Sequence, residues 1–327
     1  KDRKTVQVIL NDVRKNGDSA VKKYERKFNG RKTSQLRVSV KEIKEARSKI
    51  SRDEWDALTL MSGALRWNTN EFLSSLPSLK KKGRSPVPSI SYTFVPIPSV
   101  GCYIPGGQAR YPSSVVMSVV PARKSGVKRI VVVSPPGPDG KIDPLTIVAA
   151  KMCGATEIYK VGGAQAIGAL AYGTKSIPKV DKIVGPGGKF VSIAKSLVSD
   201  QTAIDMIAGP TELGIIADTN ANPELVALDL ISQAEHSKDT MCFVITTSKT
   251  VAKQIQKSLK KLIPDVERSA IVKQSISKNG FIAVCKNQNE MIELANKIAP
   301  EHMELMVKNA KTLSKKITGA GLLLIGK

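Results

Sequence analysis

The stretch KRIVVVSPPGPDGKIDPLTIVAAKMCGATEIYKVGGAQAIGALAYG, residues 128–173, decides the fold. Arg129 to Val133 is a short β-branched run of the kind that fills a strand buried on both faces. Pro and Gly punctuation ends it, and Pro144 to Cys153 then reads as an apolar helix. Glu157 to Val161 repeats the strand signal and Ala164 to Tyr172 the helical one. Strands separated by helix-length segments cannot pair as hairpins, so this pattern predicts parallel strands joined by crossover helices.

Outward from this stretch the alternation continues. Asp181 to Val184, Leu213 to Ala217, Met241 to Thr246 and Phe281 to Val284 read as strands, and Lys189 to Val198 reads as a helix. The expected class is α/β, with doubly wound parallel sheets. Toward the amino terminus, Thr5 to about Ser62 has helical spacing, as in Val6, Ile9, Leu10 and Val13, then Ala20, Val21 and Tyr24. Gly17 and Asp18 predict a turn between two helices of this lead-in. Lys80 to Pro98, rich in Pro, Ser and Lys, predicts a loop containing one strand, Ser91 to Val95.

A chain of 327 residues is long enough to divide into two domains, and 41% apolar with 24% charged residues is the composition of a soluble globular protein. The net charge of +23 raises nucleic acid or an anionic membrane as partners. Against this, the Lys and Arg are spread along the whole chain, and only six Phe and six Tyr are available for stacking. We expect a solvated basic surface, with no specific nucleic-acid partner and no membrane partner. Cys102, Cys153, Cys242 and Cys285 are far apart and form no CxxC pair, which predicts reduced, buried thiols in a cytoplasmic protein. No apolar run has the length of a signal peptide or a membrane helix.

Ligands of an open α/β sheet bind at the carboxyl ends of its strands, where Gly-rich turns let backbone approach a phosphate. Four segments have that form: Gly101 to Gly107, Val161 to Gln165, Gly185 to Gly188, and Ala208 to Glu212. None is a GxGxxG fingerprint, and each alone reads more readily as ordinary turn chemistry. Histidine is the sharper signal, because the chain has only two. His236 closes SQAEH at the end of a helix with Asn222 as N-cap, Pro223 at its first position, and Leu225, Leu228 and Ile231 as its expected buried stripe. Gln233 and His236, three residues apart, share one helix face. Imidazole is a good zinc ligand and an amide oxygen a poor one, so a helix-terminal His favoured by the dipole explains this pair as well. His302 lies in APEHMEL beside Glu301, and the two are candidate proton carriers on a Pro-led turn, or else solvated surface polarity.

Together the motifs resemble the histidinol dehydrogenase family. The resemblance runs from VILNDVRKNGDSAVKKYERKF through GCYIPGG, VGGAQAIGALAYGT, IDMIAGPTE and LISQAEHS to APEHMEL and ITGAGLLLIG, nearly the whole chain. It implies two Rossmann-like domains related to the aldehyde dehydrogenase architecture, the first discontinuous (1–100 plus 214–327) and the second, NAD-binding, at 101–213. It further implies zinc- and NAD-dependent oxidation of L-histidinol through histidinal to L-histidine, the last step of histidine biosynthesis, in a homodimer with shared active sites.

By the same resemblance Gln233 and His236 are zinc ligands that also face substrate, Glu301 and His302 are the acid–base pair, and Tyr103 and Gln165 contact NAD. Thr211 stands near the substrate where the family usually has Ser, and Gly188 stands where it usually has an Asn that contacts NAD. The sequence stops before the family's GDY motif and its carboxyl-terminal segment, which carry further zinc and substrate residues. The alternatives are a related NAD-dependent dehydrogenase of another amino alcohol or aldehyde, or a non-catalytic relative lacking that tail.

Overall fold

The computed structural model describes residues 1–30, 35–77, 79–82, 88–106, 110–207, 209 and 211–326. It divides into two compact units, Lys1–Ala208 and Gly209–Lys327.

In the first unit a helical lead-in, α1 (Asp2–Asn29), α2 (Val40–Arg47) and α3 (Arg52–Ser74), precedes a short antiparallel pair, β1 (Leu79–Lys81) and β2 (Ile90–Tyr92). There follow β3 (Ser99–Tyr103), α4 (Pro112–Lys124), β4 (Arg129–Ser134), α5 (Pro144–Cys153), β5 (Glu157–Lys160), α6 (Gly163–Tyr172), β6 (Lys182–Val184), α7 (Lys189–Val198) and β7 (Ala203–Ile204). The strands form one parallel sheet in the order β5-β4-β3-β6-β7. Side chains alternate across it. Val131, Val133, Tyr159 and Ile183 pack with α1, α6 and α7, whereas Val100, Cys102, Ile130, Val132 and Ile158 pack with α4, α5 and the residues of α2 and α3. Both faces are covered, which is why these strands read as continuous apolar runs.

The second unit repeats the winding with β8 (Glu212–Ala217), α8 (Pro223–Ala234), β9 (Met241–Thr246), α9 (Lys249–Leu262), α10 (Ser269–Asn279), β10 (Phe281–Val284), α11 (Gln288–Ile298), β11 (His302–Met306), α12 (Ala310–Ser314) and β12 (Leu322–Ile325). Its parallel sheet runs β10-β9-β8-β11-β12. By order of appearance both sheets are 3-2-1-4-5, the doubly wound order in which the topological switch lies between the first and fourth strands.

Several expectations change on folding. The two compact units divide between residues 208 and 209, and the lead-in packs on the first sheet. Val6, Ile9, Leu10, Val13, Ala20 and Val21 of α1 are buried in one core with Ile167, Ala169 and Leu170 of α6. Gly168 leaves the space that Leu10 and Val13 fill. Each such aliphatic side chain contributes roughly 1.5–3 kcal/mol by burial, and these residues bury it within Lys1–Ala208.

The break expected at Gly17 is present: α1 consists of two helical stretches joined across a kink, where Gly17 is non-helical at φ 51° and ψ −130°. The strand expected at Ser91 to Val95 is Ile90–Tyr92, and Lys80 and Lys81 lie in its partner β1. On α8 the buried stripe is Val226, Ala227, Leu230, Ile231 and Ala234. Leu225 and Leu228, expected inside, are 44% and 43% exposed, since a helix buries one arc and Ile231 belongs to the arc of Leu230. The N-cap is as expected: Asn222 Oδ1 accepts from Glu224 N at 2.9 Å, with Pro223 in the first turn. Among the described residues no helix is long and apolar enough to cross a membrane.

Candidate active site

In the first unit the glycine-rich turns gather at the carboxyl edge of the sheet. Tyr103 ends β3, Gly162 and Gly163 follow β5, and Gly185 follows β6. Tyr103 is only 5% exposed, and its hydroxyl accepts a hydrogen bond from Gly163 N at 3.1 Å. Burial, assisted by the nearby Glu25 carboxylate, pushes its hydroxyl up to about 12, so the phenol stays neutral. Gln165, in the first turn of α6, is 1% exposed and donates through Nε2 to Glu25 Oε1 at 2.7 Å. Its Oε1 is buried with no hydrogen-bond partner among the described residues.

Gly185 adopts φ 112°, a conformation that L side chains rarely take, and a Cβ there would collide with the carbonyl oxygen of Tyr103. Its amide donates to Asp205 Oδ2 at 2.8 Å, its carbonyl accepts from Lys195 Nζ at 3.0 Å, and Lys195 and Asp205 form an ion pair. Three residues on, Gly188 is the N-cap of α7, which has no side-chain cap, and nothing lies within 4 Å of the position its Cβ would take.

At the same edge a cavity of about 240 Å³ is lined by Pro105, Gly106, Ser134, Pro135, Asp139 and Asp143, among others. It falls just below the roughly 300–1,000 Å³ of small-ligand sites. A wider depression of about 590 Å³ lies beside α10, lined by Ile263, Ala270, Lys273, Gln274, Ile276 and Ser277, and holds none of the residues singled out. Gly107, Ala208 and Pro210, in two of the glycine-rich segments, lie outside the described residues.

In the second unit the candidates sit at the opposite, amino edge. Thr211 immediately precedes β8, and its carbonyl accepts from Met241 N at the head of β9 at 3.1 Å. His302 is the first residue of β11, in register with Leu213 of β8 and Leu322 of β12. Gln233 lies in the last turn of α8, and the exposed His236 follows in the turn that leads toward β9. Glu301 Oε2 is 3.8 Å from His302 Nδ1, too long for a hydrogen bond, and that Nδ1 is buried without a partner among the described residues.

Sequence reasoning missed the residues that hold the Glu301-His302 turn. Ala299 takes a left-handed conformation at φ 51°. Asn296 Oδ1 accepts from Thr318 N at 2.8 Å and Gly319 N at 3.2 Å, and its Nδ2 donates to the carbonyl of Lys316. Gly321 N and Leu322 N donate to the carbonyls of Pro300 and Glu301, and Glu212 Oε2 accepts from Glu301 N at 3.3 Å. Glu25 and Lys195 were missed as well, although a signal existed. Each is a charged residue on the buried stripe of its helix: Val21, Tyr24 and Glu25 on α1, and Val191, Ala194, Lys195 and Val198 on α7.

None of the four cysteines is poised as a nucleophile. Burial pushes Cys102 and Cys242 up to about 12 and Cys153 up to about 11, and raises Cys285 too. For a metal, the only donors to emerge from the sequence reading are Gln233 and His236, and no group of three or more His, Cys, Asp or Glu among the described residues could hold one. One amide and one imidazole do not fill the four positions of a zinc site.

Comparison with known proteins then assigns the family. The family model described as histidinol dehydrogenase matches residues 1–327. Histidinol dehydrogenase of Oceanobacillus iheyensis is 43% identical over 318 residues, 97% of this chain and 74% of that relative. The crystal structure of histidinol dehydrogenase from Elizabethkingia anophelis matches with a TM-score of 0.95 at 34% identity, over 100% of this chain and 75% of that one. An NAD-dependent benzaldehyde dehydrogenase from Corynebacterium glutamicum shares the fold alone, with a TM-score of 0.57 at 13% identity, over 99% of this chain and 78% of that one.

Proposed function

The chain belongs to the histidinol dehydrogenase family, and from that premise we propose that it converts L-histidinol through histidinal to L-histidine with two NAD, in the cytoplasm and as a homodimer with shared active sites. The observation that carries the reading is the position of Glu301 and His302. Glu301 precedes and His302 begins β11, beside the strand that Thr211 immediately precedes, and His302 Nδ1 has no partner among the described residues.

NAD supplies the hydride acceptor for each oxidation. His302 accepts the hydroxyl proton of the alcohol in the first oxidation, returns it to the carbonyl oxygen as water adds to the aldehyde, and accepts a hydroxyl proton of the hydrated aldehyde in the second. Glu301 takes the proton from the water that adds to the aldehyde between them. Thr211 faces the substrate. Tyr103, Gln165 and Gly188 belong to the NAD site at the carboxyl edge of the first sheet. The open space at Gly188 accommodates the asparagine usual in the family.

Gln233 and His236 are the chain's two donors toward zinc, and the ion's remaining positions require donors beyond this pair. The test is stoichiometric: purified protein supplied with L-histidinol and zinc forms two NADH per histidinol, and one NADH with accumulating aldehyde would restrict it to the first oxidation. Calorimetric titration of the metal-free chain should give zinc affinity weaker than micromolar. A tighter site would reveal ligands other than Gln233 and His236.

A further inference from the structure

The glycine turn of the first unit is built unlike a phosphate loop. In a phosphate loop successive backbone amides point outward at the anion. Here both amides are consumed inside the protein: Gly162 N donates to Glu25 Oε1 at 2.9 Å, and Gly163 N donates to the Tyr103 hydroxyl at 3.1 Å. The acceptor Glu25 comes from α1, 137 residues away in sequence, and is 0% exposed. The same Oε1 also accepts from Gln165 Nε2.

A carboxylate oxygen accepts hydrogen bonds and an amide NH2 donates them, so this contact leaves Gln165 one orientation. Its NH2 faces Glu25, and its carbonyl oxygen is turned the other way. That oxygen lies over Gly163, 2.9 Å from where a side chain at 163 would begin. It is buried and has no partner among the described residues, whereas a buried acceptor normally finds one.

We propose that Glu25 is a positioning residue of the cofactor site: it locks Gln165 so that the carbonyl oxygen over Gly163 is presented to a hydrogen-bond donor of NAD, a hydroxyl or carboxamide NH2, and not to a phosphate. The proposal rests on the reading that Gln165 belongs to the NAD site. It gives the buried acid a reason to exist, since a carboxylate is the one group that accepts from both donors and offers nothing in return. It also accounts for Gly163, where a side chain would cover the oxygen.

The test measures the dissociation constant for NAD and the KM for L-histidinol on variants whose melting confirms a folded protein. Glu25→Ala frees the Gln165 amide to turn over. NAD binding should weaken roughly 10-fold, the worth of one or two hydrogen bonds, while KM for histidinol stays within about twofold. Gln165→Ala, run in parallel, should weaken NAD similarly. If Gln165→Ala weakens NAD and folded Glu25→Ala does not, the proposal is overturned. If neither matters, the cofactor placement falls, and the proposal with it.

Should Glu25→Ala fail to fold, the reciprocal pair decides. Gln165→Glu sets two carboxylates face to face and should cost at least 10-fold in NAD affinity. Adding Glu25→Gln restores a donor opposite an acceptor and should bring affinity back to within about threefold of the parent. A double variant that stays as weak as Gln165→Glu would overturn the proposal.

Discussion

The two sheets are wound in the same order, yet the candidate residues of the first stand at its carboxyl edge and those of the second at its amino edge. The difference extends to how the residues are held. Tyr103, Gln165 and Gly185 are tied by hydrogen bonds to Gly163, Glu25, Lys195 and Asp205. In the second unit the turn backbone is pinned by Asn296 and Glu212, while His302 Nδ1 has no partner among the described residues. A site that must hold one cofactor in one pose gains from locked side chains, and groups that pass protons must keep a free position. On the function proposed above, the same winding serves positioning in one unit and proton chemistry in the other.

The comparison breaks first if backbone locking in the first unit is dispensable. Gly185→Ala combines a positive φ with a collision against the Tyr103 carbonyl. It should destabilise the protein by roughly 3 kcal/mol in urea denaturation. Thr211→Ala at the edge of the second sheet should stay within about 0.5 kcal/mol. Similar losses for both would erase the distinction between a locked site and an open one.

Next in size is the chemistry at the amino edge. His302→Asn should slow both oxidations by roughly 100-fold or more, read as single-turnover NADH formation from histidinol and, separately, from histidinal. Glu301→Gln should slow the aldehyde half more than the alcohol half. Equal losses in the two halves would make Glu301 a positioning group and remove its water-activating role.

A smaller effect sharpens the picture of the second sheet. Burial, with the negative charge of Asp229 beside it, pushes the Glu304 carboxyl up to about 7, and burial also raises Asp229. A carboxyl raised in the folded state binds its proton more tightly there than in the unfolded chain. The contribution of Glu304 to stability is therefore greatest below the ordinary carboxylate range and declines as pH rises from about 4.5 to about 7. Glu304→Gln removes that penalty, so its melting temperature should gain on the parent between pH 5 and pH 8. An unchanged difference across that range would show that Glu304 titrates normally.

The smallest effect is expected where the first unit is open. Gly188→Asn puts a capping side chain into empty space at the head of α7. It should stabilise the fold by a few tenths of a kcal/mol, about what Asn gains over Gly at an N-cap, and NAD binding should survive. Loss of NAD binding would mean that the bare glycine backbone is itself part of the site.

Much of this was legible in advance. The strands at Met241–Thr246 and Phe281–Val284 and the helices at Pro144–Cys153 and Lys189–Val198 begin and end where their apolar runs do. β3 was harder, because Gly101 and Cys102 read as part of a turn, yet the central strand needs Gly101 where Leu170 of α6 presses on it. β11 was hidden by its two polar residues, His302 and Glu304, which alternate with buried Met303 and Leu305 and are themselves only partly buried. α8 was found, but Leu225 and Leu228 were placed in its stripe, because apolar residues also stand on the exposed side of that helix.

By itself the sequence determined the α/β class, the glycine-rich turns, the paucity of histidines and the family, because periodicity and residue chemistry are local properties of the chain. Only the tertiary structure decided on which sheet the amino-terminal helices lie, which edge of each sheet carries the candidate residues, and which groups Glu25 and Lys195 bond. An apolar stripe records that a face is buried but not against what. A buried charge is intelligible only once its donors or acceptors are in place, and for Glu25 those lie at Gly162 and Gln165, brought to it by the packing of α1 on α6.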